Sequence, residues 1–196
     1  MPLRSAARLA AILSTLALLG AGCTTPPSKG LAAAPESLTR PPNPALRESV
    51  AVDEVQAGEA SRLGLPSVSS GELAQALTDS LRRAGYLAPS AGAARYALDA
   101  YVEEAALQNG DGLFRNLQTD DSVTSTIRYR LRDVQRSLVL LDRKIEVPYT
   151  AANRTGFFTA TRVRVADEGS VRESIESLLD ELGRLRITAG DDGQGG

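Results

Sequence analysis

Paired acids and alternating arginines are the residues of this chain that could do chemistry, and their spacing limits what that chemistry can be. Asp53-Glu54, Glu103-Glu104 and Asp120-Asp121 are adjacent carboxylates. Neighbouring side chains of a strand project to opposite faces, so no such pair shares a proton or holds a metal unless a third acid joins it. Read alone, they are solvated surface acids. The chain has no histidine, which removes imidazole acid–base catalysis, Ser-His and Cys-His nucleophiles and histidine-containing zinc sites together. Its single cysteine, Cys23, can form neither an intramolecular disulfide nor a metal site by itself. The sequence therefore points away from an enzyme and gives no reason to expect a cofactor or a metal.

Arg128, Arg130 and Arg132 alternate with Ile127, Tyr129 and Leu131. A period of two puts the arginines on one face of a strand. Arg162 and Arg164 repeat the spacing in what reads as a neighbouring strand, so the five form a candidate basic stripe. Guanidinium forks hold phosphate and carboxylate at two points, which suits an anionic lipid or glycan, or an acidic surface of a partner protein. The alternative is a solvent face whose arginines pair with Asp99, Asp142 and Glu146. Tyr96, Tyr129, Tyr149 and Phe157 read as core rather than as a binding platform. Gly110-Asp111-Gly112 lacks the spaced oxygen ligands of a calcium loop and reads as a turn. Asn153-Arg154-Thr155 matches a glycosylation sequon by chance.

The elements that would position these residues follow a leader and a linker. Arg4 and Arg8, the apolar run Leu9 to Leu19, and Gly20-Ala21-Gly22 have the three parts of a secretory signal. The apolar run is well short of the roughly 20 residues that span a bilayer as a helix. Residues 24–47 hold six of the ten prolines, Pro26, Pro27, Pro35, Pro41, Pro42 and Pro44, among small polar residues. So little apolar surface cannot offset ordering entropy, so residues 23–47 read as a semi-stiff tether and the Gly/Asp-rich 188–196 as a disordered tail. Loss of residues 1–22 would leave 20 basic against 24 acidic residues, so nothing favours nucleic acid.

The folded body is then predicted over residues 48–187. Ser49 to Val55 reads as a strand. A helix capped at Ser69 or Ser70 carries Leu73, Leu77 and Leu81 on one face and ends at Gly85, with Tyr86 folding back. Arg95 to Leu107, Val123 to Val134 and Leu138 to Tyr149 alternate as strands. In the last two, Val123, Ile127, Tyr129 and Leu131 answer Val139, Leu141, Ile145, Val147 and Tyr149 at odd positions, so odd must oppose odd and the loop between them must have an odd number of residues. With Gln135 to Ser137 as the loop, Arg130 faces Asp142. With Arg136 to Leu138, Arg132 faces Asp142 and Arg128 faces Glu146. Phe157 to Val165 reads as one more strand, and Ser170-Val171-Arg172-Glu173 as the capping box of a closing helix with Val171, Ile175, Leu178, Leu179 and Leu182 buried. The order β-α-β-β-β-(β)-α specifies an α+β fold: a mostly antiparallel four- to five-stranded sheet with both helices on one face.

Leu18-Leu19-Gly20-Ala21-Gly22-Cys23 resembles the lipobox of bacterial lipoproteins, with Gly20 where leucine is usual. The resemblance implies cleavage before Cys23 and acylation of its thiol, palmitate among the acyl chains. Thr24 in place of aspartate implies sorting to the outer membrane, facing the periplasm. An ordinary signal peptide with an incidental Cys23 is the alternative. The element order after Cys23 is similar to that of small α/β outer-membrane lipoproteins of Gram-negative bacteria: the LPS-assembly, YajG-like and ABC-transport auxiliary types. The similar stretches are Ser70 to Tyr86, Ala94 to Glu103, Ile127 to Tyr149 and Gly169 to Leu182. This resemblance implies a non-enzymatic accessory protein, held to the membrane by lipid, that binds an envelope protein in assembly, transport or maintenance. A periplasmic carrier or sensor of a small anionic or lipid ligand is the other function in keeping with these features.

Overall fold

The computed structural model describes residues 41–56, 68–108, 121–151 and 159–187. The leader, Cys23, most of the tether, the Gly110 turn, Asp120, the sequon, Phe157 and the 188–196 tail lie outside them. The body is one four-stranded sheet with two helices: β1 Val50–Gln56, α1 Ser70–Arg83, β2 Tyr96–Gln108, β3 Asp121–Asp133, β4 Leu138–Ala151 and α2 Thr159–Arg184. Strand order in space is β1-β2-β3-β4. β1 runs parallel to β2 because α1 carries the chain back across the sheet, and the other two pairings are antiparallel. The α+β class and the two-helix layout agree with the sequence pattern.

α1 begins where its ends can be satisfied. Ser69 Oγ accepts from Glu72 N–H, and the Glu72 carboxylate accepts from Ser69 N–H at 2.9 Å, a reciprocal capping box. At the other end Tyr86 N–H donates to Leu81 C=O and Gly85 N–H to Arg82 C=O, with Gly85 at φ 73°. Glycine adopts this left-handed conformation at little cost, whereas a residue with a Cβ is strained there. The stripe Leu73, Leu77, Leu81 is buried in one core cluster with Val50, Leu98, Tyr129 and Leu131, each such side chain contributing about 1.5–3 kcal/mol.

The predicted fifth strand is a correction. Residues 159–165, which carry Arg162, Val163, Arg164 and Val165, form the first two turns of α2, so the sheet has four strands. The helical stripe runs unbroken through Val163, Ala166, Ser170, Val171, Ser174, Ile175, Leu178 and Leu182, all buried. Ser170 and Ser174 fill two of these buried positions, which interrupts the apolar period in the sequence. Ser170 consequently caps nothing. Eleven residues inside α2, its hydroxyl donates to Val147 C=O at 2.6 Å and accepts from Ser125 N–H at 3.0 Å. Ser125 and Val147 are paired residues of β3 and β4, so the helix inserts a hydroxyl into the ladder. Close approach is permitted by Gly169, where a Cβ would overlap the Tyr149 ring.

The β3–β4 hairpin also departs from expectation. Arg130 opposes Asp142, one of the two predicted registers, yet the turn is the four residues Val134 to Ser137. Parity is restored by a bulge: Leu131 pairs with Leu141 but Arg132 with Val139, leaving Leu140 as the extra residue. The turn is held by Asp133, whose Oδ1 accepts from Gln135 and Arg136 N–H, while Oδ2 accepts from Arg95. Burial pushes the Asp133 carboxyl up, but these donors outweigh it and hold it below the usual value.

The body starts earlier than residue 48. Leu46 is fully buried, and Asn43 donates its amide to Leu182 and Leu185 C=O at 3.2 and 2.8 Å, one in the last turn of α2 and one just past its end. Its own N–H donates to Tyr86 OH at 2.8 Å. The last residues of the predicted tether are thus fastened to the C-terminal ends of both helices.

Candidate functional site

The face of the sheet turned away from the helices carries the charges that the alternation set apart. Leu98, Tyr129 and Leu131 occupy the buried core face, so their neighbours Asp99, Arg128, Arg130 and Arg132 fall on the other. Arg132 of β3 reaches across two strands. Its Nε and Nη2 lie 2.8 and 3.0 Å from the Asp99 carboxylate on β2, and Nη2 is 2.7 Å from Asp53 on β1. Arg128 grips Asp142 of β4 with two bonds, at 2.7 and 2.8 Å. Lys144 pairs with Glu103 at 3.0 Å, and Tyr101 OH donates to Glu54 at 2.8 Å. One face therefore binds four strands through alternating signs.

These pairs are unequal. The Asp99 side chain is only 2% exposed while that of Asp142 is 33% exposed. The hydrogen bonds Arg132 donates to Asp99, with that carboxylate's charge, push Arg132 up, and Asp53 adds to this. Asp142 is held below the usual carboxylate range by its hydrogen bond with Arg128 and the nearby positive charges. Arg130 is the poorly matched member. Its Nη2 lies 3.5 Å from an Asp142 oxygen that Arg128 already occupies, and its buried Nε has no partner. The buried Nε is out of reach of solvent, so an incoming carboxylate or phosphate would meet the exposed end of this guanidinium, whose one bond is long and shared.

Of the five predicted arginines, the structure brings Arg128, Arg130 and Arg132 together and separates the other two. Arg162 and Arg164 are on α2, across the sheet. Arg164 joins the helices, with Nη2 2.7 Å from Glu72 and Nε 2.8 Å from Glu168. The predicted partners Asp99 and Asp142 are engaged, whereas Asp53, which sequence reasoning read as one of an adjacent pair of acids, completes the Arg132 site. Its signal was its place on the polar face of β1, legible only once β1 is known to lie beside β2. Tyr96 and Tyr129 are core, as predicted; the Tyr129 hydroxyl meets Ser174 Oγ at 3.1 Å, and burial pushes its pKa up.

A second polar cluster lies under α2. Asp167, 4% exposed, accepts from Val68 N–H at 2.7 Å and from Ser125 Oγ at 3.1 Å, tying α2 to β3 and to the start of α1. Burial raises its pKa against the pull of those donors. Beside the edge strand β4, open clefts of about 290 and 310 Å³ run along α2, lined by Arg143, Ile145, Glu181 and Arg184 among others. Among the described residues no helix is long and apolar enough to cross a membrane.

No protein-family model and no curated protein sequence matches the chain. Among solved structures it is similar to a hypothetical protein from Chlamydia trachomatis, with 16% identity and a TM-score of 0.48 over 69% of this chain and 98% of that one. A protein from Xanthomonas campestris is 15% identical with a TM-score of 0.47, covering 71% and 88%. A protein from Caulobacter crescentus described as a putative lipoprotein is 15% identical with a TM-score of 0.44, covering 69% and 88%. At this level the likeness carries no statement about activity.

Proposed function

We propose that this chain is a non-enzymatic envelope lipoprotein, acylated at Cys23 and held at the outer membrane facing the periplasm, that binds another envelope component through the open face of its sheet. The observation that carries the binding role is Arg130: its side chain is 35% exposed and its bond to Asp142 is long, at 3.5 Å, to an oxygen that Arg128 already holds, amid arginines well matched by carboxylates. Arg132 and Arg128 hold the face in shape, and Arg130 is left with donors to offer. The leader, the lipobox-like Leu18 to Cys23, Thr24 and the proline-rich linker support the anchor, and the lack of histidine supports a binding rather than a catalytic role.

The test is capture from detergent-solubilised membranes with wild type and Arg130→Glu. A stoichiometric protein partner lost in the variant, with unchanged thermal stability, is the expected result. Lipid or glycan co-purifying without protein would favour the carrier reading. Equal capture by both proteins would remove Arg130 from the interface.

A further inference from the structure

Among the described residues the exposed large apolar side chains are Val134, Leu138 and Val139, at 55, 54 and 53% exposure, and all three belong to the tip of the β3–β4 hairpin. The tip is built firmly. Asp133 fixes the turn through two backbone N–H groups, and Ser137 takes the left-handed conformation at φ 54° that closes it. Its apolar residues are not on one side. Val139 pairs with Arg132 of the open face and Leu138 with Asp133 of the other, so the tip is apolar on both faces of the sheet. With Gln135, Arg136 and Ser137 at its apex, the tip joins apolar flanks on both faces to a polar, basic cap, which suits shallow entry into a lipid interface better than packing against a flat apolar surface.

The position of this knob follows from the hydrogen bonds. Val134 N–H donates to Arg95 C=O, Arg95 N–H to Ser49 C=O, and Glu48 N–H to Gly85 C=O. Asn43, five residues before Glu48, holds the C-terminal end of α2. The hairpin tip, the starts of β1 and β2 and the ends of both helices therefore share one end of the body. The described chain begins at that end, at Pro41, so the segment leading back to Cys23 departs from it. The same end carries exposed Arg47, Arg83, Arg136 and Arg186 together with exposed Glu48. Apolar side chains flanking Arg136, at an end where exposed arginines outnumber the exposed acid Glu48, are the pattern that enters a lipid interface with anionic headgroups.

We propose that Val134, Leu138 and Val139 insert into the phospholipid leaflet from which the protein is tethered, with the surrounding arginines on anionic headgroups, so that the body docks on the membrane by this end. The proposal rests on the lipid-anchored reading given above. Docking by the hairpin tip sets an orientation that the linker alone cannot. The strands stand off the bilayer, and the open face with Arg130 is presented sideways to a partner.

The mature chain carrying Leu138→Cys, Val139→Cys or Gln56→Cys, each labelled with an environment-sensitive fluorophore, is reconstituted into phosphatidylethanolamine–phosphatidylglycerol vesicles with brominated acyl chains. Circular dichroism selects the folded variants, and either tip position suffices. The expected result is a blue shift and loss of emission at 138 and 139, none at 56, and a smaller loss when phosphatidylglycerol is omitted. Vesicles that float with the protein while the tip labels stay unquenched would overturn the tip contact and leave the anchor standing. Protection of the tip in native membranes but not in vesicles would also overturn it, in favour of a protein partner. Protein that fails to float, with Cys23 taking up label as a free thiol, would defeat the anchor reading and the docking built on it.

Discussion

Replacing Arg132 by alanine is expected to weaken the fold far more than replacing Arg128, although both arginines occupy the same face of β3 and each holds an aspartate with two bonds. The difference lies in the acids. The Asp99 side chain is 2% exposed, and its hydrogen-bonded cation is Arg132 at 2.8 and 3.0 Å. Removing one partner of a buried pair costs about 3–5 kcal/mol, because the remaining charge has lost both water and counter-charge; an exposed pair is worth about 0–1 kcal/mol. The Arg132 side chain is itself 37% exposed, and its removal would admit water to Asp99, which discounts the upper figure. A loss of about 2–3 kcal/mol follows, a large share of the roughly 5–15 kcal/mol that holds a domain together. At roughly 3–4 °C per kcal/mol for a domain of this size, the melting temperature should fall by about 6–12 °C. The assay is urea denaturation followed by circular dichroism at low salt, with Arg128→Ala, whose partner Asp142 stays hydrated, as the comparison expected to leave the midpoint nearly unchanged. A double-mutant cycle with Asp99→Asn completes it, since neutralising the acid should recover about half of the Arg132→Ala loss. An Arg132→Ala loss below about 1 kcal/mol, or no recovery with Asp99→Asn, would show that water already compensates Asp99 and refute the reasoning.

Ser170→Ala should cost about 1–3 kcal/mol, because it leaves Ser125 N–H and Val147 C=O without their bridging hydroxyl beneath the helix; chemical denaturation measures it. Asn43→Ala removes the acceptor of Ala45 N–H and both donors to the α2 carbonyls, and should lower stability by about 1–2 kcal/mol and speed hydrogen exchange at the end of α2. Asp167 has its pKa raised by burial, so its protonated form is favoured in the folded state. Its contribution is fully present below the unfolded carboxylate value and is lost as pH rises through the folded value. The stability of wild type relative to Asp167→Asn should therefore fall as pH rises through that window in urea titrations; a difference that is flat with pH would contradict it.

Periodicity made much of this fold legible. The Leu73, Leu77, Leu81 stripe ending at Gly85-Tyr86, and the odd-numbered apolar residues of β3 and β4, gave helix, strands and one correct register. Both signals are local consequences of 3.6- and 2-residue repeats. Where a buried position was filled by serine, the pattern failed. Ser170 and Ser174 face the sheet and are satisfied by Val147, Ser125 and Tyr129, so they interrupt the apolar stripe without interrupting the helix. The hairpin failed differently: a four-residue turn and a bulge at Leu140 together do what an odd-numbered loop would do, and no residue at Leu140 announces the bulge.

For the candidate site, alternation alone was enough to put Arg128, Arg130 and Arg132 on one face, and the leader, Cys23 and the proline-rich linker are read from order and composition. What each arginine does was decided by the tertiary structure. Asp53 and Asp99 come from strands 79 and 33 residues away from Arg132. Burial of Asp99, the sharing of Asp142 and the orphaned Nε of Arg130 are properties of four strands assembled side by side. Likewise the junction of hairpin tip and linker exists only because β1 lies parallel to β2, bringing residues 43, 95 and 134 to one end. A repeat in sequence states which way a side chain faces along its own element; charge compensation and proximity across elements depend on distances that only the folded chain creates.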